Sequence, residues 1–186
     1  VQQFPGSSKI VTDVKNREQS HLIMGFPGIR LSDKERYDLR VLLTVLGGQS
    51  GRLFRELRDK QGLCYSVAPV HFEGIERGYV GVYMGCDPKK REQALKGIGE
   101  ELKRSTLVAS TKTEIGHAIE FILGRHHMEM QLNSAIASVL GFNALYGLSP
   151  DEHLKLRDSF KKVTPDSILQ IARKLFQQPS VTAVVI

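Results

Sequence analysis

GGQSGRLFRELRDKQGLCYSV, residues Gly47 to Val67, decides how the rest of the chain is read. The pair Gly47-Gly48 ends a preceding apolar helix, because glycine accepts the left-handed backbone that follows a helix C-terminus. Ser50 is placed to cap the next helix by accepting from its free N–H groups. Leu53, Phe54 and Leu57 recur at helical spacing and define a buried face, with Arg52 and Arg55 roughly opposite, pointing into water. At ~100° per residue, Arg58 falls about 95° from the centre of the apolar stripe, at the rim of the core. Gly62 stops this helix and Tyr65 opens a strand. A short turn therefore brings an arginine fork and a phenol hydroxyl into one neighbourhood, and both donate to carbonyl oxygens.

On the N-terminal side, Pro5, Gly6, Ser7 and Ser8 mark residues 1–8 as a linker. Residues 9–186 are expected to form a single domain. Lys9 to Val14 and Gln19 to Phe26 read as strands, the second stopped by Pro27-Gly28. Ser32 and Glu35 have the spacing of a capping box before a helix that is apolar nearly all round, from Tyr37 to Leu46.

On the C-terminal side, Cys64 to Phe72 and Arg77 to Cys86 read as a hairpin around Glu73-Gly74-Ile75-Glu76. Asp87 caps a helix with Pro88 at its first position and Ala94, Leu95, Ile98 and Leu102 on its apolar face. Thr111 and Glu114 box a long helical stretch to about Tyr146, which Gly124 and Gly141 should bend or divide. Further helices begin at Ser149-Pro150 and at Thr164-Pro165, and Val181 to Ile186 is a β-branched strand. Strands near both ends with helices between them predict an α+β fold. The expected sheet is mixed and largely antiparallel, packed against several α-helices, with both terminal strands in it.

The chain has 186 residues, 41% hydrophobic and 25% charged, which suits one globular domain with a proper core. No apolar run approaches the ~20 residues of a membrane span, and no signal peptide is visible. The sequence opens on Val1 rather than methionine, which reads as a processed product or an excised fragment, so localisation is not read from this end. A net charge of +6 is moderate and dispersed. Its densest cluster, Lys89-Lys90-Arg91, reads as a solvated helix start, and no nucleic-acid motif accompanies it.

No metal-ligand pattern is found. None of the six histidines fits H-x-x-E-H, and in His126-His127-Met128-Glu129 the adjacent histidines diverge by ~100° on a helix and cannot share an ion as an i, i+4 pair can. Ser66 lacks a histidine and aspartate at recognisable spacing, and Gly47-Gly48-Gln49-Ser50-Gly51 lacks the Gly-Lys-Ser/Thr ending of a phosphate loop.

The signature stretch resembles the second, non-catalytic half of insulinase-like zinc metallopeptidases, the group that includes pitrilysin and mitochondrial processing peptidase. Their pattern is a glycine-rich break followed by S-R-L-F-x-x-L-R-x-x-x-G-L-x-Y-S. Arg52, Leu53, Phe54, Leu57, Arg58, Gly62, Leu63, Tyr65 and Ser66 match it. Weaker likeness runs from Gln19–His21 through Gly85-Cys86-Asp87-Pro88 to Val163-Thr164-Pro165. Gly51 stands where serine is usual and Cys64 where a small residue is.

The resemblance implies a domain without its own cofactor that completes the active-site chamber of a zinc-bearing half, on the same polypeptide or a separate subunit. It implies that Arg58 and Tyr65 contact an extended peptide substrate near the scissile bond, with catalytic zinc in the partner. An inactive assembly paralogue of the same family is the alternative, and a basic nucleic-acid-binding module a remote one. Neither nucleic acid nor membrane is an expected partner, and the isolated domain should self-associate at high concentration through the face meant for its partner. Cys64 and Cys86 would face each other in a hairpin centred on residue 75, but free buried thiols are the expected state.

Overall fold

A computed structural model describes residues 6–15 and 18–186. The expected linker over residues 1–8 therefore lies largely outside the described residues. Five strands form one sheet: β1 (Lys9–Asp13), β2 (Ser20–Pro27), β3 (Ser66–Phe72), β4 (Tyr79–Cys86) and β5 (Val181–Val185). Their order is β1-β5-β2-β4-β3. Strands β1 and β5 are parallel and every other pair is antiparallel, so the sheet is mixed and joins both ends of the described chain.

Alternation along the strands gives the sheet one buried face. Leu22, Met24 and Phe26 of β2 lie opposite Met84, Val82 and Val80 of β4 and point towards the helices. His21 and Ile23 point the other way and stay exposed. The helical layer comprises α1 (Arg36–Leu46), α2 (Arg91–Leu107), α3 (Lys112–Glu129), α4 (Asn133–Leu145), α5 (Leu156–Phe160) and α6 (Pro165–Phe176). Helices α2 and α6 pack on β2, and α1 packs on α3 and α6. Leu22, Leu42, Leu46, Ile98 and Leu175 are among the fully buried side chains, each worth about 1.5–3 kcal/mol of transfer free energy.

Several helix starts follow local chemistry. Asp87 Oδ1 accepts from the Lys89 amide at 2.8 Å, ahead of a 3-10 turn that leads into α2. Complete capping boxes open α3 at Thr111–Glu114 and α6 at Thr164–Ser167. The expected Ser32–Glu35 box is not formed. Instead Asp33 folds back onto the amide and guanidinium of Arg30, and Glu35 reaches Lys174 of α6 at 2.7 Å. The long helical stretch divides at Met130–Leu132 rather than at Gly124 or Gly141. Both glycines sit inside continuous helix with open space around them, so neither is required to break it.

Candidate functional site

The glycine break after α1 has two distinct members. Gly47 is extended, whereas Gly48 takes the left-handed conformation at φ 73°. Gly51 is held by close approach: a Cβ there would lie 1.9 Å from the Gly47 carbonyl oxygen. Ser50, predicted as a helix cap, caps nothing, because the next helix begins later and has no side-chain cap.

That helix is π-helical from Phe54 to Lys60. Such segments are rare and carry one more residue per hydrogen-bonded turn than an α-helix, so the 100° count does not hold through it. Leu53 and Leu57 are fully buried, as the spacing predicts. Arg52 is not in water: it is buried, and its Nε and one terminal nitrogen each donate at 2.8 Å to the two carboxylate oxygens of Glu114. The same Glu114 closes the capping box of α3, so one carboxylate ties the signature stretch to that helix start. These donors hold the Glu114 carboxyl down at about 2, the Arg52 hydrogen bonds contributing most. Sequence reading missed this pair because its members are 62 residues apart.

Arg58 and Tyr65 are both exposed, Tyr65 at 60%. The Arg58 guanidinium carbon sits 4.6 Å from the centroid of the Phe54 ring, one turn back. Among the described residues it forms no hydrogen bond or ion pair. Its carboxylate neighbour Glu56 is taken by Lys60 at 2.9 Å. Gly62 (φ 58°) then turns the chain, with its amide on the Arg58 carbonyl oxygen at 2.9 Å and its own carbonyl oxygen receiving Lys90 Nζ at 2.8 Å. Two residues on, the Arg58 charge is felt at the Cys64 thiol, although burial dominates there and pushes that thiol up. Tyr65 follows, its amide bonded to the Gly85 carbonyl oxygen at 2.9 Å and its side chain free of hydrogen bonds among the described residues. Tyr65 thus stands just before the edge strand β3 and Arg58 on the helix that precedes it, each held through its backbone and open at its polar end.

Cys64 and Cys86 are buried free thiols. The register pairs Ser66 with Gly85, which sets Cys86 across from Tyr65 rather than Cys64, one residue away from the arrangement a bridge needs. Among the described residues, no three His, Cys, Asp or Glu side chains converge to hold a metal ion. His126 stacks obliquely near His127 and His153, at 6.2 and 6.5 Å between ring centres, and burial holds its imidazole towards the neutral form. No helix among the described residues is long and apolar enough to cross a membrane.

Residues 1–115 match the family model described as the peptidase M16 inactive domain. The chain is 34% identical over 175 residues to an uncharacterized zinc protease of Streptomyces coelicolor, covering 91% of this chain and 38% of that protein. It is 29% identical over 177 residues to an uncharacterized zinc protease of Bacillus subtilis, covering 94% and 43%. Among solved structures, the peptidase M16 inactive domain from Pseudomonas fluorescens superposes with a TM-score of 0.87 at 21% identity, over 96% of this chain and 43% of that one. A protease from Helicobacter pylori gives 0.89 at 16% identity, over 97% and 45%. The chain belongs to the peptidase M16 inactive-domain family, and it spans about two-fifths of the length of the curated relatives it matches.

Proposed function

We propose that this chain is the non-catalytic, substrate-contacting half of a zinc metalloendopeptidase. A zinc-bearing half, on the same polypeptide or a separate subunit, supplies the metal and the activated water. This half closes the chamber, and Arg58 and Tyr65 donate to carbonyl oxygens of an extended peptide near the bond being cut. The observation that carries this reading is the pair of exposed donors with no partner among the described residues, one on each side of the Gly62 turn and each held by backbone bonds. Donors placed in advance where charge develops on oxygen are worth about 3–4 kcal/mol each in a water-excluded site. The family membership supports the same division of labour.

The test is reconstitution with the zinc-bearing half of the parent peptidase and a quenched-fluorescence peptide. Metal-dependent cleavage is expected, and Arg58→Ala or Tyr65→Phe should each lower kcat by about 10²–10³ with assembly unchanged. Assembly without any cleavage would favour an inactive scaffold instead. Full turnover in both variants would remove the assigned role of the two side chains.

A further inference from the structure

Helix α4 is anomalous for a surface element. From Met130 to Pro150 the sequence carries no charged residue, in a chain that is 25% charged. Yet none of the residues of α4 is buried. Phe142 is 56% exposed and Leu145 73%, and the helix packs chiefly on the 3-10 turn Pro150–Lys155. Such a helix satisfies neither water nor a core, which marks it as one face of an interface.

Facing it is the tip of the β3–β4 hairpin. Between them runs a groove of about 540 Å³, with Leu31, Phe72 and Ile75 on one side and Phe142, Tyr146 and Leu148 on the other. Its walls are stiffened by two aromatic stacks, Phe72 on Tyr79 at 5.9 Å and Phe142 on Tyr146 at 5.8 Å. Glu73 also lines it. That side chain is only 7% exposed; one carboxylate oxygen meets Arg40 at 3.3 Å, and the other is buried with no hydrogen-bond partner among the described residues. A buried carboxylate oxygen left unpaired is unfavourable, so a donor brought to it from across the groove would be stabilising.

We infer that α4 and this groove are the docking surface for the zinc-bearing half, which lays an apolar segment along Phe142 and Leu145 and brings an N–H or cationic donor to Glu73. This inference rests on the peptidase reading above. The zinc half is chosen as occupant because the curated relatives, themselves named zinc proteases, hold more than half of their length outside the matched region. That remainder is a partner large enough to cover a groove and a four-turn helix together.

The test is amide hydrogen exchange on this chain alone and after assembly with the zinc-bearing half. Residues Asn133–Leu148 should exchange at least about tenfold more slowly in the assembly. Phe142→Glu combined with Leu145→Glu should weaken assembly at least about tenfold, and Glu73→Gln by less, since exposed interface anchors carry most of such binding. If the double variant does not fold, the exchange comparison on the unsubstituted chain still decides. Cleavage-competent assembly with α4 unprotected would overturn the docking surface and leave the peptidase reading intact. Absence of both assembly and cleavage would overturn the two together. Protection of α4 that rises with the concentration of this chain alone, and does not change on adding the zinc half, would assign the face to a second copy and overturn the proposed occupant.

Discussion

Arg52 and Glu114 form a two-pronged ion pair, each contact 2.8 Å, between the signature stretch and the first turn of α3. Arg52 is buried, whereas the Glu114 side chain keeps 30% of its surface, so solvent screens part of the attraction. Arg52→Met should still cost about 2 kcal/mol, from two charge-assisted hydrogen bonds discounted for that screening. For a chain of this size that is a fall of roughly 4–8 °C in Tm.

The same pair sets a pH dependence. Folding holds the Glu114 carboxyl at about 2, below its ordinary 4.5. The unfolded chain therefore binds the proton more readily, so this contribution to stability is lost as pH falls. The contribution is complete above about pH 5, shrinks as pH drops below 4.5 and is gone below about 2. Denaturant titrations at pH 7 and pH 3 should show the gap between the natural chain and Arg52→Met narrowing at the lower pH. A gap that stays constant would show that the pair does not titrate as its geometry implies.

Two glycines of the signature should respond differently to alanine. At Gly62 a Cβ meets nothing within 4 Å, so the cost is only the left-handed backbone at φ 58°. Gly62→Ala should cost about 1 kcal/mol, and Gly62→Asn less, because asparagine visits that region more readily. At Gly51 the added carbon lands 1.9 Å from a backbone oxygen, and the Gly47–Gly51 turn must move to admit it. Gly51→Ala should therefore be the more damaging of the two in thermal unfolding, and a serine there requires the same displacement of the Gly47 carbonyl. Equal losses at both positions would mean that the turn yields freely.

Cys64 and Cys86 should both react with a thiol reagent in denaturant without reductant. In the native state they should react at least about tenfold more slowly, because burial is the leading cause that raises both thiols and the thiolate is the reactive form. A count of fewer than two thiols in denaturant would contradict the free, one-residue-offset arrangement.

The elements were legible wherever local pattern decides them. The alternation in β2, the Asp87-Pro88 start, the Thr111–Glu114 box and the β-branched end at Val181 all produce what their spacing implies, and both terminal strands join one mixed sheet as expected, with their direct parallel pairing added by the structure. Arg58 is exposed, but the 100° count that puts it at the rim of the core does not hold through the π-helical segment. What sequence could not supply was non-local or sub-turn geometry. Arg52 reads as a solvated arginine until a carboxylate 62 residues away is brought to it. The π-helical widening at Phe54–Lys60 leaves no mark in residue type. The hairpin register departs by one residue from a centre at Ile75, enough to separate the two cysteines. The charge-free run at α4 was visible as composition, but its exposure was not, because an apolar helix is ordinarily assigned to the core.

Phe54 should act as a positioning residue for Arg58. Its ring lies under the guanidinium at 4.6 Å, and a cation–π contact at an exposed site is worth about 0.5–1 kcal/mol. Without it the arginine keeps its charge but loses a preferred direction. In the reconstituted peptidase, Phe54→Leu should lower kcat by about 2–5-fold, far less than Arg58→Ala, since 1.4 kcal/mol corresponds to about tenfold. Arg58→Lys should not restore the natural rate, because an ammonium lacks the planar fork that stacks on the ring and donates from one side. The decisive measurement is the double variant: if Phe54 works only through Arg58, adding Phe54→Leu to Arg58→Ala should leave kcat where Arg58→Ala alone put it. A further drop of the same size as in the single variant would assign Phe54 to packing of the helix alone.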